Sequence, residues 1–116
     1  MTLRDHTISM RRMLDHARMA IKHTTDRSLD DVERDEVLRM ALVRMVEVVG
    51  EAANRVPPEI RTLHPGVPWR QVIDTRNRLI HGHDTVDIRL VYEVIQHNLP
   101  PLVAELERIL EPQTES

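Results

Sequence analysis

The chain of 116 residues has few of the residue types on which several common kinds of site depend. It contains no cysteine, which excludes disulfide bonds and thiolate metal sites within the chain and favours a reducing compartment. It has one Trp, one Tyr and no Phe, so few aromatic rings are present on which single-stranded bases can stack. With only three glycines and little β-branched alternation, the composition favours helices.

Long apolar runs and a strong charge of one sign are also missing. No apolar run approaches the ~20 residues that cross a bilayer, and the opening MTLRDHTISMRRM is charged where a secretion signal has an apolar core. We therefore expect a cytoplasmic protein with no membrane association. The net charge of −3 argues against coating nucleic acid through bulk charge, although it leaves room for a local basic cleft.

Apolar residues recur at helical spacing through the first half of the chain. They predict one helix over about residues 5–24 and a second over about residues 30–55. The second is apolar on much of its circumference, so we expect it at the centre of a bundle. Gly50, inside this helix, costs about 1 kcal/mol relative to alanine, which indicates close approach of another helix. Pro57 and Pro58 end the helix.

The second half of the chain predicts two further helical segments. A third helix begins near Pro68 and ends at Gly82. The last apolar stripe runs over residues 88–109, and the two prolines at 100 and 101 predict a kink or break near Asn98. We therefore expect an all-α fold, an antiparallel bundle of four to five helices. Residues 1–110 would form its single domain, and residues 111–116 a frayed tail.

Chemistry-bearing side chains are concentrated in RNRLIHGHDTVD, residues 76–87, where the third helix ends. One interpretation is a polar helix terminus, in which a histidine complements the helix dipole, Gly82 is a C-cap and Arg76 pairs with Asp74 or another neighbour. The other interpretation is a site for acid–base chemistry on a phosphodiester. Residue types alone leave both interpretations open.

The second interpretation needs only the groups that this segment supplies. His81 can take or give a proton near neutral pH, Arg76 can stabilise the charge of a pentavalent phosphate, and Asn77 can orient a phosphate or a ribose hydroxyl. An RNA 2′-hydroxyl is then the nucleophile, and neither a metal nor another cofactor is required. Because one histidine per chain supplies one acid–base group, a homodimer that faces two such helices would supply both.

The letters HGHD raise a third possibility, a metal site built from His81, His83 and Asp84. Histidine and carboxylate do bind zinc, but this spacing at a helix end does not fix a coordination geometry, and the sequence contains no H-E-x-x-H. We therefore expect no metal at this segment.

The same segment resembles a known family. RNRLIH matches the R-N-x-x-x-H core of HEPN domains (higher eukaryotes and prokaryotes nucleotide-binding). The longer stretch VGEAANRVPPEIRTLHPGVPWRQVIDTRNRLIHGHDTVD resembles the HepT-like branch, the toxins of HepT–MntA toxin–antitoxin pairs. Its blocks GEA, P-W-R and RNRLIHG…VD occur in that family's order and spacing, and the resemblance covers about residues 8–110.

This resemblance implies an all-helical homodimer with a cleft between the protomers. It implies RNA cleavage by Arg76 and His81, with Asn77 as a polar assistant. It also implies a cognate antitoxin, a minimal nucleotidyltransferase of the MntA kind, which attaches AMP to the tyrosine two residues after the histidine.

At that tyrosine the chain departs from the family pattern. The family reads H-x-Y, whereas this chain reads His81, Gly82 and His83, and its one tyrosine is Tyr92. His83 can be a second acid–base group, a phosphate contact or a neutral replacement. Neutralisation by tyrosine AMPylation is therefore not expected at this position.

Two functions compete with that of a ribonuclease toxin. A non-catalytic HEPN adaptor would bind a nucleotidyltransferase or a nucleotide through the same cleft without cutting RNA. A purely structural helical dimer would leave the combination of Arg76 and His81 unexplained. An open cleft that both side chains face favours the enzyme, and a cleft filled by side chains favours the adaptor.

Overall fold

The computed structural model describes residues 3–81 and 87–111, with side chains from residue 6 onward. Within these ranges the chain folds entirely into helices and turns, which confirms the predicted all-α fold. The helices are α1 (Leu3–Thr24), α2 (Leu29–Arg34), α3 (Glu36–Arg55), α4 (Pro58–Leu63), α5 (Trp69–His81), α6 (Ile88–His97) and α7 (Leu99–Leu110). None of the helices in the described part is long and apolar enough to cross a membrane.

The prediction of a single helix over residues 30–55 is wrong in one respect, because the helix is interrupted at Asp35. The backbone of Asp35 is extended, with φ −105° and ψ 98°, and its carboxylate accepts a hydrogen bond from the Leu38 N–H at 3.0 Å. A side chain that binds a free N–H in the first turn starts a new helix. Asp35 therefore ends α2 and begins α3.

Helix α3 is central, as its apolar circumference predicts. It packs against α1 and against α5, while α1 also packs against α7 and α6 contacts α3, α1, α5 and α7. The largest fully buried side chains come from five of the helices and form one continuous core: Met13, Leu14, Val32, Leu42, Val46, Val49, Ile95, Leu99, Leu102 and Leu106.

The break predicted near Asn98 is confirmed. Helix α6 ends at His97 and α7 begins at Leu99, so Pro100 and Pro101 occupy the first turn of α7. An N–H in that turn has no partner within its own helix, so a proline there costs no hydrogen bond. The Asn98 carbonyl accepts the Leu102 N–H at 3.2 Å, which continues the backbone across the break.

Polar contacts join the ends of the helices. Arg18 on α1 donates to Glu107 and to Glu111, each at 2.7 Å, and so ties α1 to the end of α7. Glu111 is the first residue of the predicted tail, and residues 112–116 lie outside the described residues. The Trp69 ring at the start of α5 is 8% exposed, and its Nε1 donates to the His64 carbonyl at 3.0 Å. This bond holds the loop between α4 and α5.

Candidate functional site

Helix α5 has one buried side and one exposed stripe. Trp69, Val72, Thr75 and Leu79 are buried in the bundle. On the other side, the exposed residues Arg70, Asp74, Asn77 and His81 are spaced four, three and four residues apart, so they share a face. The prediction that Asn77 and His81 lie on the same side of the helix is therefore confirmed.

Arg76 lies where α5 meets α3. Its side chain is half-buried, and its stem passes directly over Gly50. A Cβ atom placed on Gly50 would lie 2.2 Å from the Cβ of Arg76 and 2.6 Å from the backbone oxygen of Val72. The predicted close approach at Gly50 is therefore confirmed, and the helix that approaches is the one that carries Arg76.

The guanidinium of Arg76 turns toward the exposed stripe. Its Nη1 donates to Asn77 Oδ1 at 3.1 Å. Arg76 and His81 are five residues apart, about 140° around the helix and about 7.5 Å along it, whereas Asn77 and His81 differ by only about 40°. The bond to Asn77 therefore brings the arginine head toward the side on which His81 lies.

One donor of Arg76 has no acceptor among the described residues. The Nε atom is buried and makes no hydrogen bond there, and no ion pair within residues 6–81 and 87–111 includes Arg76. Of the alternative pairings, the one with Asp74 is thus not formed, and the neighbour that Arg76 does contact is Asn77. A buried donor without an acceptor is costly. The Nη end of the guanidinium is exposed, and its N–H groups are the donors that an anionic oxygen, such as that of a phosphate, can meet with a charge-assisted hydrogen bond.

His81 is exposed in the last turn of α5, where a positive charge complements the helix dipole. The segment that follows, with Gly82, His83 and Asp84, lies outside the described residues. Three statements about this segment therefore stay predictions: that Gly82 caps the helix, that His83 has a role in the site, and that HGHD binds no metal.

A charged cluster on α3, which sequence reasoning missed, lies near Gly50. Arg44 Nη1 is 3.2 Å from Glu51 Oε1 and 3.8 Å from Glu47 Oε1. Glu51 is the residue after Gly50 and points about 100° away from it around α3. The seven-residue spacing of Arg44 and Glu51 corresponds to two helical turns, and that spacing is the signal that could have found the pair.

Comparison with known proteins identifies the family. The family described as "Ribonuclease HepT-like" matches residues 13–109. A "Putative RNase" of Caldanaerobacter subterraneus subsp. tengcongensis is 33% identical over 101 residues, which cover 87% of this chain and 90% of the relative. A "Probable ribonuclease HepT" of Thermococcus cleftensis is 30% identical over 86 residues, which cover 74% of this chain and 78% of the relative.

No solved structure matches the chain. The family match includes α3 and α5 in full, and therefore the contact of Gly50 with Arg76 and the stripe with Asn77 and His81. The chain belongs to the HepT-like ribonuclease family of HEPN proteins.

Proposed function

We propose that this protein is a metal-independent endoribonuclease whose reacting groups are Arg76 and His81, with Asn77 in support. The observation that carries the proposal is the state of Arg76. Its stem is fixed against Gly50, its Nη1 is held by Asn77, and its buried Nε has no acceptor among the described residues. In a ribonuclease family, the scissile phosphate is the anion that fits this guanidinium.

The reaction uses the substrate's own nucleophile. As the RNA 2′-oxygen attacks phosphorus, a histidine accepts the 2′-hydroxyl proton. Arg76 stabilises the additional negative charge of the pentavalent phosphate through N–H donors that are already in position. The 5′-oxygen then leaves with a proton from an acid, and the products are a 2′,3′-cyclic phosphate and a 5′-hydroxyl end.

This chemistry needs a base and an acid at once. The described part of one chain supplies one histidine at the end of α5. A homodimer whose cleft brings two copies of α5 together supplies two His81 side chains and two Arg76 side chains. We therefore propose that the active form is a dimer and that the RNA enters between the protomers.

The biological role that accompanies this activity is that of a toxin neutralised by a cognate MntA-like nucleotidyltransferase. Unrestrained RNA cleavage slows growth, so expression of the chain alone in a bacterium should inhibit growth. Arg76→Ala or His81→Ala should restore growth at equal protein levels. Equal inhibition by all three proteins would exclude these residues as the source of toxicity.

The decisive experiment is cleavage of a labelled RNA by the purified protein in EDTA. We expect Arg76→Ala and His81→Ala each to lower the rate by about 10²–10⁴-fold, the usual contribution of such groups. His97→Ala is the matched control, because His97 is also an exposed histidine in the last turn of a helix. Arg12→Ala removes an equally charged, exposed side chain from α1.

The products and the chelator separate the alternatives. A 2′,3′-cyclic phosphate formed in EDTA supports the mechanism, whereas loss of cleavage in EDTA would favour a metal site. A wild-type protein that cuts no RNA but binds a nucleotidyltransferase or a nucleotide would establish the adaptor function instead.

A further inference from the structure

We propose that Gly50 is a positioning residue for the ribonuclease reaction. Because Gly50 has no side chain, α5 can pack close to α3, and this packing determines the position of the Arg76 side chain. The inference rests on the proposed function of Arg76. It adds a residue on a different helix that touches neither RNA nor the reacting atoms.

The argument begins with the space at the helix contact. Nonbonded carbon atoms pack best at about 3.5–4.0 Å. A Gly50 Cβ would lie 2.2 Å from the Cβ of Arg76, 2.6 Å from the Val72 oxygen and 3.0 Å from the Cγ of Arg76. The nearest atoms are backbone and the first atoms of a side chain, so no rotation of a flexible end can relieve the overlap. Any side chain at position 50 must move α5 itself.

If α5 moves, the guanidinium of Arg76 moves with it. The stem of Arg76 is held between the two helices, and Asn77, on the same helix, holds the Nη1. Both restraints therefore shift together when α5 moves away from α3. A displacement of about 1 Å at a reacting group can cost on the order of 100-fold in rate. We expect that loss in kcat for Gly50→Ala, with KM changed less than about threefold.

The chain offers a matched control in Gly66. A Cβ there would lie 2.6 Å from Glu105 Cδ and 2.7 Å from Glu105 Oε2, distances nearly as short as those at Gly50. These atoms are the end of a flexible side chain, which can turn away. We expect Gly66→Ala to keep the wild-type kcat.

A double-mutant cycle tests whether Gly50 acts through Arg76. Single-turnover rates are measured for wild type, Gly50→Ala, Arg76→Ala and the double variant. Arg76→Ala keeps its Cβ, so the steric overlap remains while the guanidinium is gone. If Gly50 acts by positioning that group, Gly50→Ala lowers the residual rate of Arg76→Ala by a clearly smaller factor than it lowers the wild-type rate, and the part of the loss that remains comes from His81, which α5 also carries. The same large loss in both backgrounds would overturn the inference, since a general structural defect gives that result.

The cycle also separates the two proposals. Full activity of Arg76→Ala would refute the proposed function itself. An impaired Arg76→Ala together with a wild-type kcat for Gly50→Ala would refute only the role of Gly50.

A measurement on the wild-type protein decides the question if Gly50→Ala does not fold. NMR relaxation of the arginine Nε–H groups should show Arg76 rigid, with an order parameter of about 0.85, and the exposed Arg70 and Arg78 below about 0.6. An Arg76 Nε–H as mobile as those of Arg70 and Arg78 would overturn the inference, because the helix contact would then not hold the side chain.

Discussion

Tyr92, the one tyrosine of the chain, already has a partner for its hydroxyl group. The phenolic O–H donates to the Arg27 carbonyl at 2.6 Å, and the side chain is half-buried on α6. An AMP ester on that oxygen would break the bond and require the ring to move. At position 83 a histidine offers no phenolic oxygen. We therefore predict that co-expression with a cognate nucleotidyltransferase leaves no AMP on either residue.

Peptide mass spectrometry of the co-expressed pair checks this prediction. His83→Tyr restores the family's tyrosine, so this variant should gain an AMP adduct and serves as the positive control. An acid-labile AMP adduct on His83 of the wild-type protein would contradict the prediction and indicate a phosphoramidate. In the proposed toxin–antitoxin pair, neutralisation would then rest on a partner that covers the proposed cleft, where acidic side chains would meet Arg76 and Arg78, or that modifies another site.

Asp31 gives a prediction about acid stability. Hydrogen bonds from the backbone N–H and the side chain of Ser28 lower the pKa of Asp31 below the usual range of an aspartate. A carboxylate whose pKa is lower in the folded state stabilises the fold above its unfolded pKa. That contribution is lost as the pH falls through the folded pKa. We expect the wild-type Tm to exceed that of Asp31→Asn at neutral pH, and this difference to shrink below about pH 4.

Thermal melts of both proteins over pH 3–7 measure that difference. Asp30→Asn is the control, since Asp30 is also acidic and in the first turn of α2 but lies outside the Ser28–Asp31 capping box. A pH-independent difference between wild type and Asp31→Asn would show that the charge of Asp31 does not contribute.

At the scale of helices, Asp35 determines where α3 begins. Its carboxylate binds the Leu38 N–H, and its extended backbone separates α3 from α2. Removing an N-cap side chain costs about 1 kcal/mol, so we expect Asp35→Ala to lower the free energy of unfolding by about that amount. Urea denaturation measures the change. Asp35→Asn keeps an accepting oxygen and should stay close to wild type, and an equal loss in both variants would contradict the capping role.

Of the helix breaks at Asn98 and Asp35, the sequence predicts the first and not the second. Two prolines mark the break at Asn98, because proline lacks the N–H that the interior of a helix needs. The break at Asp35 has no such mark. The apolar stripe runs through it, and an aspartate caps a helix only when its backbone is extended, which depends on how Val32 and Leu38 enter the core.

Some features of the candidate site can likewise be predicted from the sequence, and others cannot. The sequence places Asn77 and His81 on one side of a helix, because their spacing is four residues. It also indicates that a helix passes close to Gly50. It does not reveal which helix approaches, since that choice belongs to the tertiary packing. Nor does it predict the bond from Arg76 to Asn77, because neighbours on a helix point about 100° apart and only a long side chain that turns back can join them.

For the whole molecule we predict a homodimer in which the exposed stripe of α5 faces its symmetry mate. The mass in solution at micromolar concentration should be twice the 13.5 kDa of one chain. Because the chain has no cysteine, an introduced one is unique. Asp74→Cys on the stripe should form a disulfide-linked dimer on oxidation, and Asp15→Cys, exposed on α1, should not. A monomeric mass, or crosslinking only through position 15, would contradict this arrangement.

Trp69 is an intrinsic fluorescent probe of the position of α5. It is the only indole in a chain without phenylalanine, and it is buried at the first turn of α5 under its bond to His64. Emission excited at wavelengths that only the indole absorbs, and not Tyr92, therefore reports on one location, the connection between α4 and α5. That location is about 18 Å along the helix from His81. The tryptophan fluorescence spectrum can thus show, without an added dye, whether α5, which carries Arg76 and His81, stays packed in the bundle.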